Sequence, residues 1–157
     1  MSEKIDGCPY CYIAPQEQRR LLLTQGTWLV FLAERQDYIG HCVLVHREHL
    51  DRLSDTTVQD FMDLMMVVRL LEKAAESVFD ATNFNWSCLM NDAFKETEFN
   101  PHLHLHFRPR YQDAVKVLDN SYVDGEFSHH YDPHKPDQLN EAEKEEVFRR
   151  LYAYLHA

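Results

Sequence analysis

No apolar stretch in this chain approaches the roughly 20 residues a membrane-spanning helix needs, so no membrane partner is expected. The start, Met1-Ser2-Glu3-Lys4-Ile5-Asp6, is polar and lacks the apolar centre of a secretory signal, which points to the cytoplasm. Basic residues are scarce: 16 Lys and Arg stand against 26 Asp and Glu, a net charge of −10 with neutral His. Nucleic-acid surfaces are built from clustered Lys and Arg, so that partner is not expected either. A small phosphorylated ligand needs only a few local donors and stays open. There is no internal repeat and no low-complexity tract. Cysteines number four (Cys8, Cys11, Cys42 and Cys88), and a cytosolic chain keeps them reduced. What is present is 157 residues, 45% hydrophobic, enough for one domain with a real core.

The pattern along the chain is α+β. Residues 1–20 form a polar entry segment carrying Cys8-Pro9-Tyr10-Cys11. Thr27–Leu32 and His41–His46 are rich in β-formers and read as antiparallel strands joined by a turn at 36–40. Ser54 to Ala81 has helical spacing, with Ser54 as N-cap and Met62, Met65 and Met66 as core filling. Phe84 to Met90 alternates as a strand, and Asn91-Asp92 ends it. Residues 119–138 are loop-like, and the His129, His130 and His134 cluster belongs to that polar loop. Asn140 to His156 is a terminal helix, with Asn140 and Glu143 resembling a capping box and Val147, Phe148, Leu151 and Leu155 as its apolar stripe. The division expected is 1–118 as the catalytic domain and 119–157 as an extension.

The most informative segment is His102-Leu103-His104-Leu105-His106-Phe107. On a strand, alternate residues share a face, so three imidazoles line one side and three apolar residues pack on the other. Imidazole is a nucleophile, an acid or base and a metal ligand near neutral pH. Two chemistries are open: covalent catalysis, or three histidines holding a zinc ion with an open fourth position.

The run His102-Leu103-His104-Leu105-His106-Phe107-Arg108 resembles the signature of the histidine triad (HIT) family, His-φ-His-φ-His-φ-φ with φ apolar, and departs from it at Arg108. Gly40-His41-Cys42-Val43-Leu44-Val45, the following Arg47-Glu48-His49-Leu50, and Met90-Asn91-Asp92 resemble further family segments, so the likeness spans about residues 8–110. It implies a HIT-like fold: an antiparallel sheet of about five strands, one long packed helix and a C-terminal helix. It also implies cleavage at the α-phosphate of a nucleotide ester, anhydride or phosphoramidate. The catalytic set would be His102, His104, His106 and His41, with His104 as nucleophile and His41 supporting it. Asn91, Asn100, His106 and Arg108 would bind substrate, and Arg108 and Arg110 suit either phosphate or surface ion pairs. Phe99 stands where the better-known branches carry Ser or Thr, which leaves the leaving group open.

A branch of this family, and the related uridylyltransferases, holds structural zinc with an N-terminal C-x-x-C and two histidines. The matching residues here are Cys8, Cys11, His49 and His102. No organic cofactor is implied, and a homodimer is. Beside the enzyme stands a nucleotide-binding or sensing module with little turnover, its output carried by 119–157. A zinc-dependent hydrolase built on His102, His104 and His106 is the third reading.

Overall fold

A computed structural model describes residues 4–95 and 100–157. Strands β1 (Leu21–Gln25), β2 (Trp28–Leu32), β3 (Cys42–His46), β4 (Asn83–Ser87) and β5 (His104–Arg110) form one antiparallel sheet. Their order across it is β1-β2-β3-β5-β4. Strands β6 (Val115–Val117) and β7 (Asn120–Tyr122) make a separate hairpin. Among the described residues the α-helices are α1 (Pro15–Gln18), α2 (Val58–Phe79) and α3 (Glu141–Leu155). The α+β class, the antiparallel sheet of five strands, the long helix and the C-terminal helix are therefore present as expected.

Strand alternation sorts the two faces of the sheet. Leu103, Leu105 and Phe107 are buried in one cluster with Trp28, Val30 and Leu44. Leu64, Val67, Leu71 and Ala74 of α2 belong to the same cluster, so the helix covers that face. His104 and His106 point the other way and are half-buried. The apolar half of the histidine run thus anchors the strand, and the polar half is free for chemistry.

Several local expectations are corrected. The long helix starts after Thr57, not Ser54, which lies in a 3₁₀ turn at Leu53–Asp55. A capping box needs an acceptor three residues on, and Asp60 supplies it to Thr57. The Thr57 hydroxyl accepts from the Asp60 N–H at 3.2 Å, and the Asp60 carboxylate accepts from the Thr57 N–H at 2.7 Å. Met62, Met65 and Met66 are not core: they are 58%, 55% and 45% exposed. The inward face of α2 is phased on Leu64, Val67 and Leu71, which turns the methionines to the flank and outside. Leu21–Gln25 adds an edge strand beyond the polar entry segment, and residues 120–122 of the expected loop form β7. The segment 36–40 is buried, because Gln36 donates to the carbonyls of Ala33 and His41 and accepts from the Gly40 N–H.

Helix α3 carries the expected box between Asn140 and Glu143. Val147 and Leu151 are buried in the same core, and α3 packs on α2 and β1. Glu146 pairs with both Arg149 and Arg150.

Candidate active site

The sheet face opposite α2 carries a cavity of about 720 Å³, within the usual range for small-molecule sites. Its floor is β3 and β5, where Val43 pairs with His106 and Val45 with His104. Its wall is the entry segment, including Tyr10, Ile13 and Glu17. Among its lining are His41, His102, His104, His106, Asn100 and Arg108.

The hydrogen bonds define what each imidazole can do. His104 Nδ1 lies 2.8 Å from the His102 carbonyl oxygen, an acceptor, so Nδ1 carries the proton and donates. The lone pair is then on Nε2, the nitrogen a nucleophile needs. Tyr10 packs against this ring, centroids 5.2 Å apart. His41 is buried behind the triad, and its Nε2 lies 3.0 Å from His106 Nδ1. Burial holds His106 down to about 3, helped by the neighbouring His41, Arg108 and His104. Burial also lowers His41. Gly40, at φ +80°, supplies the backbone turn that delivers His41 to its strand.

His102 faces elsewhere. Its Nε2 donates to the His46 carbonyl at 2.7 Å, which leaves Nδ1 as the ligand atom. Nδ1 lies 3.3 Å from Cys8 Sγ and 3.6 Å from Cys11 Sγ, and His49 Nδ1 lies 3.3 Å from Cys11 Sγ. The four ligand atoms all fall within 4.8 Å of one another. Tetrahedral zinc places S and N ligands about 3.5 Å apart, so the donor set fits that ion. The Asp51 carboxylate sits 3.4 Å from His49 Nε2, the outer partner that metal-bound imidazoles take. Both nitrogens of His102 therefore already have partners, the His46 carbonyl and the two cysteine thiols. Among the described residues this is the one group able to hold a metal ion, and the three triad imidazoles do not converge as ligands.

Other residues named from the sequence fall into three places. Asn100 lines the cavity; Asn91 is exposed in a 3₁₀ turn (Asn91–Phe94) between the lining residues Met90 and Asp92. Arg110 is buried on Asp124, at 2.6 and 3.0 Å, and does not line the cavity. His129, His130 and His134 are exposed and stand apart from it. Phe99 lies outside the described residues.

Asp37 is the participant the sequence reading missed. Fully buried, it accepts from His41 Nδ1 at 2.6 Å and from Arg108 Nε at 3.0 Å. Burial pushes its carboxyl up, but the hydrogen bond from His41 and the neighbouring Arg108 guanidinium outweigh that and hold it at about 2. Its one sequence signal is an acid four residues before His41, too weak to act on alone.

Comparison with known proteins places these features. The family pattern described as HIT domain matches residues 14–113. A bis(5'-nucleosyl)-tetraphosphatase (asymmetrical) of Schizosaccharomyces pombe is 31% identical over 71 residues, covering 45% of this chain and 38% of that protein. The matched stretch is thus well under half the length of that relative. A hypothetical histidine triad nucleotide-binding protein from Sulfolobus tokodaii has the same fold, with a TM-score of 0.68 at 14% identity, covering 95% of this chain and 92% of that one. A zinc-bound histidine triad family protein from Mycobacterium smegmatis gives 0.57 at 22% identity, covering 87% and 83%.

Proposed function

The chain belongs to the HIT-domain family, and from that premise we propose a nucleotide hydrolase or nucleotidyltransferase that cleaves at the α-phosphate through a nucleotidyl-histidine intermediate. One observation carries the reading: His104 lines the cavity with Nδ1 2.8 Å from the His102 carbonyl oxygen, a contact that favours the Nδ1–H tautomer and leaves Nε2 as the nucleophile. Nε2 attacks the α-phosphorus, a P–N bond forms, and the P–O bond to the leaving group breaks with its electron pair. The His102 carbonyl stabilises the charged imidazole that results. Water or another acceptor then attacks the same phosphorus and His104 leaves neutral. Splitting one displacement into two is the advantage of a covalent route.

His106, Asn100 and Arg108 are the proposed phosphate and leaving-group contacts from the cavity wall, and Asn91 contributes from its edge. The leading substrates are dinucleoside polyphosphates, and the named activity of the yeast relative supports that choice. Cys8, Cys11, His49 and His102 are proposed to hold a structural zinc ion, which ties the entry segment to the sheet; the zinc-bound relative supports it. No catalytic step runs through that site. Residues 119–157 are proposed to be an extension of the same domain.

The test is steady-state hydrolysis of diadenosine tetraphosphate by wild type and His104→Ala. Wild type is expected to turn over, and the variant to lose at least about 10³-fold in kcat. Saturable nucleotide binding by wild type without turnover would favour the binding-module reading instead.

A further inference from the structure

The buried group behind the triad has a defined polarity. His41 Nδ1 faces two acceptors, the Asp37 carboxylate at 2.6 Å and the Arg35 carbonyl at 3.2 Å, so it must carry a proton. Asp37 Oδ1 also accepts from the Tyr38 N–H at 3.0 Å, and Oδ2 accepts from Arg108 Nε at 3.0 Å. Arg108 therefore already balances the charge of Asp37, and its guanidinium is held over the Tyr131 ring at 4.5 Å. A second buried positive charge on His41 would have no counter-ion, so His41 is neutral and its Nε2 is an acceptor. The partner 3.0 Å away, His106 Nδ1, must then be the donor. His106 keeps its lone pair on Nε2, the ring nitrogen left for the cavity. Arg108 is also where the chain departs from the apolar family pattern, and Asp37 explains that departure: the two form one buried pair.

We propose that Asp37 is a positioning residue that locks His41 and His106 in one tautomer, so that His106 offers an unprotonated Nε2 to the reaction, and that this suits the site to phosphoanhydrides. The second half rests on the nucleotidyl-histidine reading above. A phosphate or polyphosphate leaves as a stable anion, whereas the amine of a phosphoramidate must acquire a proton. An unprotonated His106 gives none in the first step. In the second step it takes a proton from the attacking water as the new P–O bond forms and the P–N bond to His104 breaks. The proton then passes to solvent, and nucleoside monophosphate departs.

Imidazole ¹⁵N chemical shifts of the intact wild-type protein at pH 7 test the tautomers without any substrate. Expected are protonated Nδ1 and unprotonated Nε2 on both His41 and His106; a protonated Nε2 on His106 overturns the proposal. In Asp37→Asn, the amide must turn an N–H toward either His41 or Arg108, so the single pattern is expected to be lost. Its kcat on diadenosine tetraphosphate should fall about tenfold or more with KM changed less than about threefold, as when a triad acid is made an amide. An unchanged spectrum with kcat within twofold of wild type overturns the role of Asp37. Wild type should also favour diadenosine tetraphosphate over adenosine phosphoramidate by at least about tenfold in kcat/KM, and equal rates overturn the substrate class. No turnover of either compound would overturn the functional reading and the substrate class together, while the tautomers are still decided by the spectrum. Should Asp37→Asn not fold, the wild-type spectrum and substrate ratio decide alone.

Discussion

His41 and His106 are held neutral inside the fold, and acid must charge them. His106 titrates at about 3 in the folded chain against an ordinary 6.5, and burial lowers His41 too. Both groups bind protons more weakly folded than unfolded, so the unfolded chain takes up protons first as pH falls. Their stabilisation is fully present above about 6.5 and is lost progressively as pH drops from there through about 3. Asp37, at about 2, adds a later loss below its ordinary 3.8. The urea midpoint is therefore expected to fall from pH 7 to pH 5, and less steeply in His106→Gln. A flat or rising midpoint would contradict the buried neutral pair. At this scale the triad and the C-x-x-C were legible because each is local: alternation and spacing alone put their atoms together. Asp37 was not, because the partners that fix its role include Arg108, 71 positions away, and only the pairing of β3 with β5 brings His41, His106 and Arg108 to one place.

Elements carry their own expectations. The box of Thr57 and Asp60 starts α2, and Asp60 also accepts from Thr27 Oγ1 at 2.7 Å while its carbonyl accepts from Trp28 Nε1 at 2.8 Å. Thr57→Ala should cost about 1 kcal/mol in urea denaturation, whereas Ser54→Ala should cost under about 0.5 kcal/mol. Leu71→Ala, at the centre of the inward face, should cost about 2–5 kcal/mol. The proposed zinc site, Cys8 and Cys11 of the entry segment with His49 and His102, makes its own prediction. Protein purified without added metal should hold close to one zinc per chain by elemental analysis, and Cys8→Ser should lose it. Zinc content below about 0.2 per chain would remove the site from the account. The element types were readable from periodicity, but phase was not. Both faces of α2 offer apolar residues at helical spacing, and only contact with the sheet selects Leu64, Val67 and Leu71 over the methionines.

For the whole molecule, the methionine face is the unspent feature. Phe61, Met62, Met65 and Met66 are exposed on α2, and Trp86 on the edge strand β4 donates to Glu72 of the same helix at 2.9 Å. The homodimer that the family resemblance implies is proposed to use this exposed apolar stripe beside the open sheet edge. Sedimentation should give twice the 18.7 kDa chain mass, and Met65→Lys should return it to the single-chain value; a wild-type monomer at micromolar concentration would contradict the dimer. Among the described residues no helix is long and apolar enough to cross a membrane. The sequence disclosed the family and the sheet because the histidine run, its apolar backing and the second strand all lie in short segments. It did not disclose which surface stays open, since that depends on how α3 covers one flank of α2 and leaves the other.

The central claim is a covalent bond at His104, and intact-mass spectrometry after rapid mixing with diadenosine tetraphosphate tests it most directly. Wild type quenched during turnover should carry one added nucleoside monophosphate, mapped to His104, and His104→Ala should carry none and turn nothing over. Turnover that survives in His104→Ala, with no adduct on wild type at any quench time, would contradict the account.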